Sequence, residues 1–269
     1  MWLTFTPISI TYTTLLAIVP PIIFRNLQKK SALLRFGIDL IQLLILFILL
    51  VFHNTGEHEG TTFLGWLGLG ITINSYIGAM VSAASCCVLY FGMFCQMLVS
   101  PINPDEDDED EDYDVYEKIW SLFYKEVIFR SFIFTAHICA GIQPMFAIML
   151  TSLLYAGLHF KPSFKAEELA GTMITSMYHV ILSCFMTLVY YYTGSLYGTI
   201  IIAYFADNLG LPDLSFLFDP KQKIYAWRKY LVLGYIVSLV VFVKLVPLML
   251  NPEFFNSQLL QVARTLSSI

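Results

Sequence analysis

The chain has 269 residues, 57% of them hydrophobic and only 13% charged, where a soluble domain carries about 25% charged residues. That balance excludes an ordinary soluble domain and points to an integral membrane protein. The net charge of −5 has a local origin: nine of the twenty acids lie between Asp105 and Asp114, and the rest of the chain is slightly basic.

A helix needs about 20 apolar residues to cross a bilayer, within a range of roughly 17 to 25. On that ruler spans are expected near Leu3–Phe24, Phe36–Phe52, Ile77–Val99, Ile119–Cys139, Met145–Phe160, Gly171–Tyr192, Leu196–Leu211 and Tyr230–Leu250. The first is too long for a signal-peptide core and runs into Pro-Pro and a basic loop, so it reads as a retained span. The fifth and seventh are short, which is tolerated where helix ends line a cavity. The segment "FLGWLGLGITINSYIG" before span three reads either as a re-entrant piece or as an early start to that span.

Orientation follows from Lys and Arg. The loop after span one holds Arg25, Lys29, Lys30 and Arg35, that after span five Lys161 and Lys165, and that after span seven Lys221, Lys223, Arg228 and Lys229. Loops 53–61, 140–144 and 193–195 hold none, so the positive-inside rule puts both termini on the non-cytoplasmic side. The expected fold is therefore an all-α membrane protein of about eight helices enclosing a cytoplasm-facing cavity. It is a single membrane domain over 1–269: N-terminal spans in 1–100, an acidic cytoplasmic loop in 101–118, a motif-bearing core in 119–215, and the last span and tail in 216–269. The run "DEDDEDED" in that loop reads as a solvated, self-repelling linker; attraction of a client's basic segment is the sharper alternative.

The five cysteines show no C-x-x-C pairing and suggest neither disulfides nor a zinc site. A metalloprotease of the H-E-x-x-H type is disfavoured, because His58-Glu59 has no second His four residues after the first. His137 and His179 stand alone on apolar spans, and a serine hydrolase lacks its G-x-S-x-G elbow.

Three other places carry polar pairs at helical spacing. In "YKEVIFRSF", Lys125, Glu126 and Arg130 fall within six residues of an apolar span. Each charge at a bilayer centre costs about 2.5 to 3.5 kcal/mol on insertion scales. Glu126 and Arg130 are four apart and can pair on one helix face; a packing ion pair is the plainer account of them. In "YAGLH", Tyr155 and His159 repeat the spacing, and in "YFADN", Tyr204 and Asn208 do so again, before a Gly and Pro helix stop in "LGLP". Taken singly, His159 reads as an interfacial residue and Asn208 as a helix cap. Together, on three spans at similar depth, they are the groups an intramembrane hydrolase needs to take a proton from water and hold an oxyanion.

The order and spacing of these pairs resemble the type II CAAX prenyl endopeptidases, within the wider ABI or CPBP group, whose pattern is E-E-x-x-x-R, then F-x-x-x-H, then H-x-x-x-N on successive helices. The matching stretches are Lys125 to Arg130, Tyr155 to His159 and Tyr204 to Asn208, within about 118–215. The resemblance implies removal of the C-terminal tripeptide from farnesylated or geranylgeranylated CAAX proteins at the endoplasmic reticulum membrane, by a multi-pass protein in the lipid bilayer. No residue here calls for a metal, a nucleotide or another cofactor, and no nucleic-acid partner is expected. The resemblance implies that His159 polarises water, that Asn208 donates to the oxyanion, and that Glu126 and Arg130 are the second Glu and the Arg of the first motif.

Two positions depart from the pattern. Tyr204 stands for the third-motif His, a mild change, since a phenol can donate as an imidazole does. Lys125 stands for the first Glu. Glu126 could replace it as base only if the helix turned, because neighbours on a helix point about 100° apart. Lys125 itself could be the base, or the site could have lost its base and become a prenyl-protein binder or scaffold. A membrane transporter is the alternative from another class.

Overall fold

The computed structural model describes residues 14–15, 32–53, 63–99, 115–160, 166–212, 214, 217–218, 223–255 and 257–267. Apart from residues 14 and 15, the first expected span lies outside them, as does the acidic run 101–114. Every assigned element among the described residues is helical. In chain order these are α1 (Ala32–His53), α2 (Phe63–Trp66), α3 (Ile73–Leu89), α4 (Phe91–Val99) and α5 (Val115–Glu126). A π-helical segment, Val127–Phe134, joins α5 to α6 (Thr135–Cys139). There follow α7 (Pro144–His159), α8 (Ala166–Thr193), α9 (Leu196–Leu209), a 3₁₀ turn at Lys223–Trp227, α10 (Arg228–Met249), α11 (Pro252–Phe255) and α12 (Gln258–Ser267).

Two of these stretches, Gly171–Thr193 and Ile224–Phe255, are long and apolar enough to cross a membrane unaided. A third is α3 with α4, bent by 53° at Tyr90. Their outward faces carry Met173, Met177 and Ile181 on α8 and Leu233, Ile236 and Val240 on α10, all exposed. Such a surface would aggregate in water and is at home against lipid tails. The chain is thus an all-helical integral membrane protein. The short apolar helices α7 and α9 are about 24 and 21 Å long at 1.5 Å per residue, less than the roughly 30 Å of a hydrocarbon core.

The core is built around the rod formed by α5, the π segment and α6. All eight residues from Val127 to Phe134 are buried. They pack with Ala147, Ile148 and Tyr155 of α7 and Tyr190 and Tyr191 of α8. The amphipathic α12, which the span ruler did not register, folds back onto α6 and buries Leu259, Leu260 and Val262 in the same cluster. A second cluster joins Cys86 of α3, Leu182, Phe185 and Met186 of α8, and Ile202, Ala203 and Ala206 of α9.

Lipid gives helices no hydrophobic reason to associate, so close approach through small residues does more of the work. On α3, Gly78 and Ser82 stand one turn apart and face Gly198 of α9, where a methyl group would lie 2.5 Å from Ser82 Oγ. On α4, a methyl at Gly92 would lie 2.5 to 2.8 Å from the Tyr235 ring of α10. The ring is held by its hydroxyl, which donates to Gln96 Oε1 at 2.6 Å, so it cannot simply swing aside. Gly92→Ala is expected to destabilise the α4 and α10 contact by about 1–3 kcal/mol, the usual cost of overpacking. A lowered unfolding midpoint in detergent, with Gly37→Ala as the control at an unobstructed glycine, is the check.

Candidate active site

Glu126 ends α5 where the backbone switches to the wider i→i+5 pattern; π segments of this kind are frequent at functional sites. Inside the rod, Arg130 Nε lies 3.3 Å from Glu126 Oε2, and neither side chain has any solvent exposure. Arg130 Nη2 donates to Ser183 Oγ at 3.0 Å and touches Met186 Sδ at 3.6 Å. Its guanidinium lies over the Tyr155 ring, 4.6 Å from the centroid, a cation–π contact that strengthens when desolvated. Thr199 of α9 lies beside the Glu126 carboxylate. The Glu126 and Arg130 pair is therefore locked into the centre of the helix bundle.

Tyr155 links this pair to a cavity. Its ring meets Arg130 on one side and lies 4.9 Å from the His159 ring one turn on. The His159 ring in turn stacks on His179 of α8, with centroids 4.3 Å apart and planes 15° from parallel. The cavity they border holds about 230 Å³ and is lined by Lys125, Tyr155, His159, Tyr178, His179 and Asp207, with Leu122, Leu182, Ala203 and Gly210 among its other walls. Short α7 and α9 explain its position: it lies where α7 ends at His159 and where α9 stops at Gly210, whose φ of +64° suits glycine.

Proton positions in the pair follow from geometry. His159 Nδ1 is 3.1 Å from the Tyr155 carbonyl oxygen, and His179 Nδ1 is 2.7 Å from that of Thr175. A carbonyl only accepts, so both Nδ1 atoms carry protons and Nε2 is the atom through which each ring gains or loses one. Tyr178, also on the wall, pairs its hydroxyl with that of Tyr90 at 2.7 Å.

The six residues singled out from the motifs divide. Lys125 and His159 line the cavity. Glu126 and Arg130 are buried behind it, joined to it through Tyr155. Tyr204 and Asn208 lie on another face of α9: Tyr204 is 48% exposed, and Asn208 Nδ2 donates to the Tyr204 carbonyl at 2.7 Å while its Oδ1 accepts from Lys118 Nζ at 3.0 Å. The cavity face of α9 instead presents Ala203, Ala206, Asp207 and Gly210. Asp207 also reaches Lys118, with 3.4 Å between Nζ and Oδ2.

Three wall residues, Tyr178, His179 and Asp207, were not anticipated. For Asp207 the signal was present: positions 203, 206, 207 and 210 repeat at helical spacing and are small or polar, whereas Tyr204 and Phe205 between them are bulky. For His179 there was none, because its partner His159 is on another helix. The helix does depart from α geometry at Glu126, yet Lys125 rather than Glu126 lines the cavity. No group of three or more His, Cys, Asp or Glu among the described residues is arranged to hold a metal ion.

No curated protein and no solved structure matches the chain. Residues 119–209, the stretch that carries all three polar pairs and the walls of the cavity from α5 to α9, match the family model described as Rce1-like, type II CAAX prenyl endopeptidase.

Proposed function

We propose that the chain is an intramembrane endopeptidase of the endoplasmic reticulum, cytoplasm-facing, that removes the C-terminal tripeptide from prenylated CAAX proteins. The observation that carries the reading is the His159 ring, pinned through Nδ1 to its own helix and bordering the cavity. Its Nε2 is then the base for a water molecule poised against the scissile carbonyl. The Lys125 ammonium, on the same wall, stabilises the oxyanion as charge develops. The Asp207 carboxylate balances the imidazolium that His159 becomes. Glu126 and Arg130 act at one remove, holding Tyr155 against His159. A client already carries its prenyl chain in the membrane, so lateral entry from lipid suits a site whose walls are the ends of short helices.

A second reading, a prenyl-protein binder without cleavage, draws on the complete burial of Glu126 against Arg130 and on the cation standing at the cavity wall. Nothing in the family match favours the transporter reading.

The test is release of the C-terminal tripeptide from a farnesylated CAAX peptide by the full-length protein in liposomes. Cleavage supports the peptidase reading. Saturable binding of the intact peptide without cleavage supports the binder, and tripeptide release that then appears in Lys125→Glu would identify the exchanged residue as the reason.

A further inference from the structure

We propose that His179 is a second catalytic histidine of this cavity, the acid that protonates the departing amine nitrogen, an inference that rests on the peptidase reading above. Amide hydrolysis needs two proton transfers. A proton must leave water as it attacks, and one must reach nitrogen before the C–N bond can break, since an amide anion is a poor leaving group. A single histidine could serve both atoms by swinging between them. His159 is not free to swing, because rotation would break its Nδ1–H bond to the Tyr155 carbonyl.

His179 has the attributes the second transfer requires. It borders the same cavity, stacks on His159 at 4.3 Å, and is pinned in the same way, Nδ1 to Thr175. The two rings also sit at one depth: His159 is 15 residues from the start of α7 at Pro144, and His179 is 14 from the end of α8 at Thr193, about 22 and 21 Å along adjacent antiparallel helices. Two nearly parallel rings thus border one small volume, each with Nε2 as the nitrogen not tied to its own helix. The attacking oxygen and the departing nitrogen are bonded to the same carbon, so a tetrahedral intermediate held there is addressed by both.

The step balances as follows. His179 enters as imidazolium and His159 as the neutral ring. Water gives one proton to His159 Nε2 as its oxygen bonds to the carbonyl carbon, and the C=O π pair becomes the oxyanion beside Lys125. The oxyanion re-forms C=O, the C–N bond breaks with its electron pair on nitrogen, and nitrogen takes the proton from His179 Nε2. The new carboxyl yields its remaining proton to the released amine. Transfer of a proton from His159 to His179 through water restores the starting state, with Asp207 on the wall offsetting the single shared positive charge.

The test compares two substrates: the farnesylated peptide and its ester analogue, in which the scissile N–H is replaced by oxygen. An alkoxide departs with far less need of a proton donor. In the full-length protein in liposomes, His179→Gln and His179→Phe, the latter keeping a stacking ring, are expected to lower amide cleavage about a hundredfold or more while changing ester cleavage by less than about threefold. Retained ester cleavage also shows that the variants fold. Equal losses on both substrates, or unchanged amide cleavage beside a His159→Ala variant that has lost it, overturn the role of His179 and leave the peptidase reading standing. A wild-type protein inert on both substrates overturns the two together.

Discussion

Substitution of His159 by Ala is expected to lower tripeptide release by about 10²- to 10⁴-fold, the range that a positioned base contributes, with little change in binding of the prenylated peptide. The base is used only as water attacks, so its loss falls on the turnover number rather than on the Michaelis constant. The informative companions are neighbours on α9. Asn208→Ala removes only the exposed contacts to Lys118 and the Tyr204 carbonyl and is expected to leave cleavage within about threefold, as substitutions away from the reacting groups do. Asp207→Ala removes the carboxylate on the cavity wall and is expected to cost about tenfold or more, one order of magnitude being about 1.4 kcal/mol of transition-state stabilisation. If Asn208→Ala were the damaging change and Asp207→Ala the mild one, α9 would act through its other face, and the roles assigned to Lys125 and Asp207 would fall. Steady-state cleavage of a farnesylated peptide, fitted for both constants, decides the matter.

The second large effect concerns the buried ion pair. Arg130→Met leaves the Glu126 carboxylate without its cation in a fully desolvated position, and removing one member of such a pair costs about 3–5 kcal/mol. Glu126→Gln together with Arg130→Met removes both charges and is expected to recover most of that loss, since a buried pair replaced by groups of similar volume is often neutral. Thermal unfolding in detergent measures both. Activity should separate from stability here: the double variant keeps the fold but loses the guanidinium under the Tyr155 ring, so His159 is held less firmly and cleavage stays reduced. A double variant as unstable as Arg130→Met would mean that the cost lies in lost packing against Ser183 and Met186 rather than in the orphaned charge.

The membrane class and the helical fold were legible in the composition and apolar runs of the whole chain, and the first two polar pairs in residues 126–159, because they depend on local properties. Hydrophobic runs announce helices in lipid with little ambiguity, and an i, i+4 pair on one helix meets whatever surrounds it, as Glu126 and Arg130 do. Short α7 and α9 were legible as well, and their shortness is what leaves room for the cavity. The third pair shows the limit of spacing: Tyr204 and Asn208 share a face of α9, but spacing alone does not say which face turns inward. The packing of Gly198 against Ser82 and the bulk of Tyr204 and Phe205 set the rotation of the helix, and that rotation brings Asp207 rather than Asn208 to the cavity wall.

What the chain determined on its own, then, is that it is a helical membrane protein and which side chains share a face within a helix, since both follow from backbone periodicity and hydropathy. What only the tertiary structure decided is which faces meet: the stacking of His159 on His179, the burial of Glu126 behind Tyr155, and the return of α12 onto α6. Each depends on contacts between residues distant in sequence, where rotation and depth are set by the fit of small against large side chains across helices.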